Sequence, residues 1–319
     1  MKMWQWVTAI IIVLIIAAGL VLFSQSSSVP HPSSQTSSTV PSLQEAPATT
    51  TEVSVPATSE GHALSLTGWL TVPSGEGPFP VVILGHGCNG VDPTVAGSAW
   101  NQMQQWASFL GQNGYATLIL DSYTARGLTN ICDAAPNGGI ITLGGQHISL
   151  ESFDELRGAD FYAAADFLAK LPYIDPRAIG LLGDSNGGAS VLNAAAESDT
   201  DTAASSAQLT QDGGRIAAVV ALYPGCQENL IHSLFSAPIL ILMGTADDWT
   251  PPAPCEALAN YPRASGGQVT LKLYQGATHV FDVNAPSRVA EGKYHLAYDP
   301  AATADSRQQI LGFFSEYLK

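Results

Sequence analysis

The sequence predicts a three-layer α/β domain, with a mostly parallel sheet of about seven or eight strands and helices on both faces. Two observations carry this prediction. Short continuous apolar runs that end in glycine, such as FPVVILGHG and PILILMG, have the length and composition of strands buried on both faces. These runs alternate with amphipathic or alanine-rich stretches of helical length, and strand–helix–strand succession is the pattern of parallel crossover units. At 319 residues and 46% apolar content, the chain is long enough to bury such a core.

The elements follow in order. The run from Val7 to Phe23 holds 17 residues without a charge, which as a helix would span about 26 Å, close to the hydrocarbon thickness of a bilayer. Residues 1–23 are therefore expected to enter a membrane, as an uncleaved anchor or as a signal segment, with Ser24-Gln25-Ser26 a poor cleavage site. Lys2 precedes the run and no Lys or Arg follows until Arg126, so the positive-inside rule places the bulk of the chain outside the cytoplasm. The alternative is secretion after cleavage. Residues 24–58 contain 16 Ser or Thr, five Pro and two charges, a composition that cannot offset its ordering entropy and reads as a disordered stalk.

The folded domain is expected over residues 59–319. ALSLTGWLTVP alternates like an antiparallel or edge strand, and FPVVILGHG follows as a buried one. A helix over 99–111, the strand YATLILDSY, a helix over about 152–171 and the strand AIGLLG come next. A helix after Ser185, the strands IAAVVALYPG and PILILMG, a helix near 254–261, the strand VTLKLYQG and a closing helix over about 303–318 complete the series. Two stretches break the alternation. Residues 123–150, Gly-rich and carrying Cys132, read as a covering loop beside the site, and the polar 197–214 as a mobile surface insertion.

Charge and cysteine content narrow the function. With a net charge of −15 and 12 basic residues spread thinly, no electrostatic footprint for nucleic acid exists, and the membrane enters only through the N-terminal segment. Four cysteines, Cys88, Cys132, Cys226 and Cys255, suit an oxidising compartment; three pairings are open, and the spacing offers no metal site.

The chemistry centres on Gly183-Asp184-Ser185-Asn186-Gly187, which lies between a buried strand and a helix. A serine held in a tight strand-to-helix turn projects its hydroxyl over the sheet edge, and glycine neighbours let the backbone pack there. That hydroxyl needs a base and the base an orienting acid, in the chain order Ser, acid, His. Asp247 and Asp248 stand on the loop after PILILMG, and His279 on the loop after VTLKLYQG. His31, His62, His147, His232 and His295 are worse placed, and His86 reads as a brace for its own loop. The GHGCNG run supplies an oxyanion donor, the backbone N–H of Cys88, to act with that of Asn186. Tyr123 and Arg126 are candidates for the pocket lining, Arg126 either meeting a substrate carboxylate or pairing with a nearby acid. Trp249 is a candidate pocket wall or a packing residue.

Over nearly all of residues 61–319, the motifs PFPVVILGHGCNG, DSYTARG, GDSNGG, YPGC, GTADDWTPPAPC and GATHVFD resemble the dienelactone hydrolase family of α/β-hydrolases. The resemblance implies a hydrolase without cofactor or metal. Its Gly-x-x-Asp pattern falls on Gly244-Thr245-Ala246-Asp247, favouring Asp247 over Asp248, and it points to the pairs Cys88–Cys132 and Cys226–Cys255, which would tie loops at the catalytic edge. The namesake enzymes use cysteine as nucleophile where this chain has Ser185. The expected reaction is therefore cleavage of small carboxylic esters or lactones through an acyl-enzyme. The alternatives are a surface-tethered binding module without activity, or a peptidase or polyester hydrolase of the same fold.

Overall fold

The computed structural model describes residues 49–59, 61–134, 139–197, 215–264 and 266–319. Eight strands form the central sheet: β1 (Thr49–Ser59), β2 (His62–Val72), β3 (Phe79–Gly85), β4 (Ala116–Asp121), β7 (Ile174–Asp184), β9 (Ile216–Leu222), β11 (Ile239–Gly244) and β12 (Val269–Tyr274). Their order is β1-β2-β4-β3-β7-β9-β11-β12. The pairs β1·β2 and β2·β4 are antiparallel and every later pair is parallel. Three short two-stranded ribbons accompany it: β5 (Ile140–Leu143) with β6 (Gln146–Ser149), β8 (Ala196–Glu197) with β10 (Leu234–Phe235), and β13 (Arg288–Ala290) with β14 (Tyr294–Leu296).

Five described helices connect or flank the strands: α1 (Trp100–Gln112), α2 (Leu150–Ala169), α3 (Asn186–Ala195), α4 (Ala253–Asn260) and α5 (Pro300–Tyr317). Two have side-chain caps that fix where they start. Ser149 accepts from the N–H of Ser152 ahead of α2, and Asp299 accepts from Ala301 and Ala302 ahead of α5, satisfying first-turn donors. The core lies on both faces of the parallel strands, with Val81–Leu84, Leu181, Leu182, Val219–Leu222 and Ile239–Met243 fully or nearly fully buried. Such burial explains why these strands read as unbroken apolar runs rather than as alternating ones.

One boundary differs from expectation. The stalk expected over 24–58 does not hold for residues 49–58, because Thr49–Ser59 is strand β1, paired along its whole length with β2. The compact unit that carries the fold runs from Glu45 to Lys319. Most of β1 is exposed and Val55 is its fully buried residue, so a sequence count finds mainly Ser, Thr and Pro there. The β-branched Thr and Val residues nevertheless suit a half-exposed strand. The expected membrane segment 1–23, stalk residues 24–48 and insertion residues 198–214 lie outside the described residues. Among the described residues no helix is long and apolar enough to cross a membrane.

Candidate active site

The site is assembled at the C-terminal ends of the parallel strands, where loops from successive strands converge. Ser185 sits between β7 and α3 with φ 51° and ψ −117°, a positive φ that a non-glycine residue adopts only under constraint. The constraint is visible. The N–H of Ser185 donates to the Leu222 carbonyl on β9 at 2.9 Å, and its carbonyl accepts from Ala189 at 3.0 Å. A Cβ at Gly187 would lie 2.1 Å from the Gly85 carbonyl oxygen, and one at Gly183 would lie 2.2 Å from the Gly187 oxygen. Glycine at both positions is what allows helix α3 to start against β3 and β7.

His279 follows β12 and Asp247 follows β11. The Ser185 Oγ lies 2.9 Å from His279 Nε2, and His279 Nδ1 lies 2.8 Å from Asp247 Oδ2. Both His279 and Asp247 are buried. Asp247 Oδ1 accepts from the N–H groups of Trp249 at 3.0 Å and Thr250 at 2.9 Å. Asp248, the second choice for the acid, points elsewhere: its carboxylate takes the N–H and Nδ1 of His295, the latter at 2.6 Å. Among the described residues, four non-glycine residues have positive φ, and three of them, Ser185, Tyr223 and Val280, flank this constellation.

Both disulfides sit at the same edge, Cys88–Cys132 and Cys226–Cys255. Cys88 follows β3, and its carbonyl accepts from Ile131 at 2.8 Å, which binds the covering loop to the GHGCNG turn a second time. That loop packs a small core of its own, with Tyr123, Ile131, Ala134, Ile141 and Phe153 buried together. The β5–β6 ribbon lies within the stretch read as irregular from sequence.

Two expected pocket residues do not line a pocket. The Arg126 side chain is 4% exposed and makes a bidentate ion pair with Asp160, at 2.7 and 2.9 Å, so of its two expected roles it takes the pairing with a nearby acid. Tyr123 is 1% exposed. Its hydroxyl donates to Asn186 Oδ1 at 2.8 Å, and its ring meets His86 edge-on and the Arg157 guanidinium at 4.9 Å. Sequence reading could not see either partner, because Asp160 and Arg157 lie on a helix where charges ordinarily face water. Trp249 is half-buried, 5.3 Å from the His279 ring and stacked on Tyr294 at 4.7 Å.

Beneath the serine turn lies a buried polar network that sequence reasoning missed. Arg157 donates to Asn186 Oδ1 and to the His86 carbonyl, while Asp154 accepts from Asn186, Ser190 and Gln227. Burial pushes the Asp154 carboxyl up to about 7, with Arg157 and the three donors opposing. Burial, reinforced by the Asp282 carboxylate, pushes Asp184 up to about 8, against Arg157 and the Gly87 N–H. His86 is pushed down to about 3 by burial and by the Arg157 charge, so it stays neutral, consistent with a bracing role. Among the described residues no group of three or more His, Cys, Asp or Glu side chains is placed to hold a metal ion.

A mostly parallel sheet with a strained serine turn and acid and histidine on later strand ends defines an α/β-hydrolase. A family model, the dienelactone hydrolase family, matches residues 66–318, and the chain belongs to that family of hydrolases. Protein Usf of Aquifex pyrophilus is 24% identical over 260 residues, covering 81% of this chain and 96% of that protein. Solved structures share the fold. A dienelactone hydrolase-like promiscuous phosphotriesterase from metagenomic libraries superposes with a TM-score of 0.61 at 20% identity, over 85% of this chain and 99% of that one. A puromycin-hydrolysing peptidase of Mycobacterium tuberculosis gives a TM-score of 0.56 at 15% identity, over 85% of this chain and 39% of that one.

Proposed function

We propose that the protein is a serine hydrolase that cleaves small carboxylic esters or lactones by a Ser185–His279–Asp247 triad. The observation that carries this reading is the unbroken relay from Ser185 Oγ to His279 Nε2 at 2.9 Å and from His279 Nδ1 to Asp247 Oδ2 at 2.8 Å. In the first step Ser185 Oγ attacks the carbonyl carbon while its proton passes to His279 Nε2. Asp247 holds the Nδ1–H and stabilises the imidazolium that forms. The backbone N–H groups of Cys88 and Asn186 receive the oxyanion. Asn186 is the first residue of α3, where N–H groups have no intrahelical acceptor and the helix dipole favours negative charge. The leaving alkoxide takes the proton from His279, and a water activated by the same imidazole then releases the acid and restores the serine.

Trp249, stacked on Tyr294 beside His279, is the proposed wall against which the substrate lies. The resemblance to a phosphotriesterase and a peptidase of similar fold makes the ester preference a matter for direct assay. The apolar run near the N-terminus and the two disulfides support placing the domain outside the cytoplasm, tethered through residues 1–23. The test is hydrolysis of short-chain p-nitrophenyl esters and fluorophosphonate labelling by the full-length chain. Ser185→Ala is expected to abolish labelling and to lower kcat at least about a thousandfold without changing the melting temperature. Full activity in that variant would refute the assignment, and a wild-type chain that neither labels nor turns over would favour a binding module.

A further inference from the structure

Resting on that triad, we propose that Thr250 is its fourth member, a positioning residue whose hydroxyl fixes the seat in which Asp247 holds His279. Thr250 Oγ1 lies 2.9 Å from Asp247 Oδ2 and 3.0 Å from His279 Nδ1, and those two atoms are 2.8 Å apart. The three atoms make a nearly equilateral triangle. A hydroxyl offers one proton and two lone pairs. Its proton goes to Asp247 Oδ2, since an ionised acceptor binds it more strongly than the neutral Tyr223 carbonyl 3.0 Å away. A lone pair then faces His279, so the Nδ1–H is seated between two oxygens.

The arrangement fixes both ends of the carboxylate. Asp247 Oδ1 is held by two backbone N–H groups, whereas Oδ2 has the Thr250 hydroxyl as its partner besides His279. Removing that hydroxyl leaves Oδ2 with His279 as its remaining partner and removes one of the two oxygens facing the imidazolium. Tyr223 contributes to the same seat. It has φ 36°, and its carbonyl oxygen stands 3.0 Å from the Thr250 hydroxyl oxygen. A threonine that only stabilised its own turn would contact Asp247 and stop there. The approach to His279 Nδ1, from a residue 29 positions away, ties it to the proton relay.

The experiment compares Thr250→Val, which keeps the shape and loses the hydroxyl, with Thr250→Ser, which keeps the hydroxyl, in the full-length chain. Steady-state hydrolysis of p-nitrophenyl butyrate, melting temperature and the low-field imidazole proton resonance of His279 are read for each. Thr250→Val is expected to lower kcat by about 10- to 100-fold with KM within about twofold, and to shift or broaden the low-field resonance. Thr250→Ser is expected to restore kcat to within about threefold and to restore the resonance. If the valine variant fails to fold, Thr250→Ala against Thr250→Ser reads the same difference. Unchanged kcat in the valine or alanine variant, or an equal loss in the serine variant, overturns the inference while wild-type labelling at Ser185 leaves the triad standing. Failure of the wild-type chain to label at Ser185 overturns both.

Discussion

Removing the Cys88–Cys132 disulfide, as the joint variant Cys88→Ser with Cys132→Ser, separates stability from chemistry. The bond closes a loop of 44 residues, which in the chain-entropy treatment stabilises the fold by about 4 kcal/mol. The Cys226–Cys255 bond closes 29 residues, worth about 3.5 kcal/mol by the same relation. At about 2–4 °C per kcal/mol for domains of this size, the two double-serine variants are each expected to melt roughly ten degrees below the parent. Their activities are expected to diverge. Cys88 carries one proposed oxyanion N–H, and its turn is tied to the covering loop by the disulfide and the Ile131 hydrogen bond. Loss of one oxyanion donor costs about 100- to 1000-fold, so loosening this one is expected to lower kcat by about tenfold. The Cys226–Cys255 variant, assayed well below its melting temperature, is expected to keep kcat within about threefold, because that bond ties the Pro224 loop to α4 and neither of its cysteines carries a proposed oxyanion N–H. The measurements are circular-dichroism melts and p-nitrophenyl ester kinetics on both variants. Equal kcat losses would refute the link between the Cys88 turn and the oxyanion, and unchanged melting temperatures would refute the loop-closure argument.

Two further outcomes follow from the buried charges. Asp154 and Asp184 hold their protons more tightly folded than unfolded, at about 7 and about 8 against 3.8. The folded chain therefore binds more protons between these limits, and stability falls as pH rises from about 4 through about 8. The melting temperature is expected to be higher at pH 6 than at pH 9, with a shallower slope in Asp184→Asn; a rise toward pH 9 would contradict this. Arg126→Met leaves Asp160 buried without its partner and is expected to cost about 3–5 kcal/mol in urea unfolding, while KM for esters stays unchanged. A raised KM with unchanged stability would return Arg126 to the substrate pocket.

Much of the site was legible in the sequence because its chemistry depends on residue type and chain order. Seven of the eight sheet strands stand out as apolar or alternating runs, and Ser185, Asp247 and His279 follow three of them in the order that the proposed reaction needs. Strand β1 was hidden because a half-exposed antiparallel edge needs few apolar residues, so its composition matches that of a stalk. Tyr123 is buried where a pocket wall was expected, and the two readings of Arg126 stayed open, because a polar residue beside a strand end looks the same whether it faces a cleft or a buried acid. The deciding partners, Asp160 and Arg157, come from α2, where a helical charge gives no sign of facing inward. Thr250 carries no sequence signal at all, since its proposed role depends on the loop after β11 meeting His279 on the loop after β12.

The spread of the relay along the chain has a consequence for how the molecule matures. Ser185 and His279 are 94 residues apart, and His279 is placed only once β12 has docked at the far edge of the sheet. Contacts of such separation pay their loop-closure entropy late, so the proposed hydrolytic centre is among the last things to exist as the chain folds. Recovery of turnover after denaturation would therefore time the arrival of the final strand, and a chain caught before that moment would be compact yet inert.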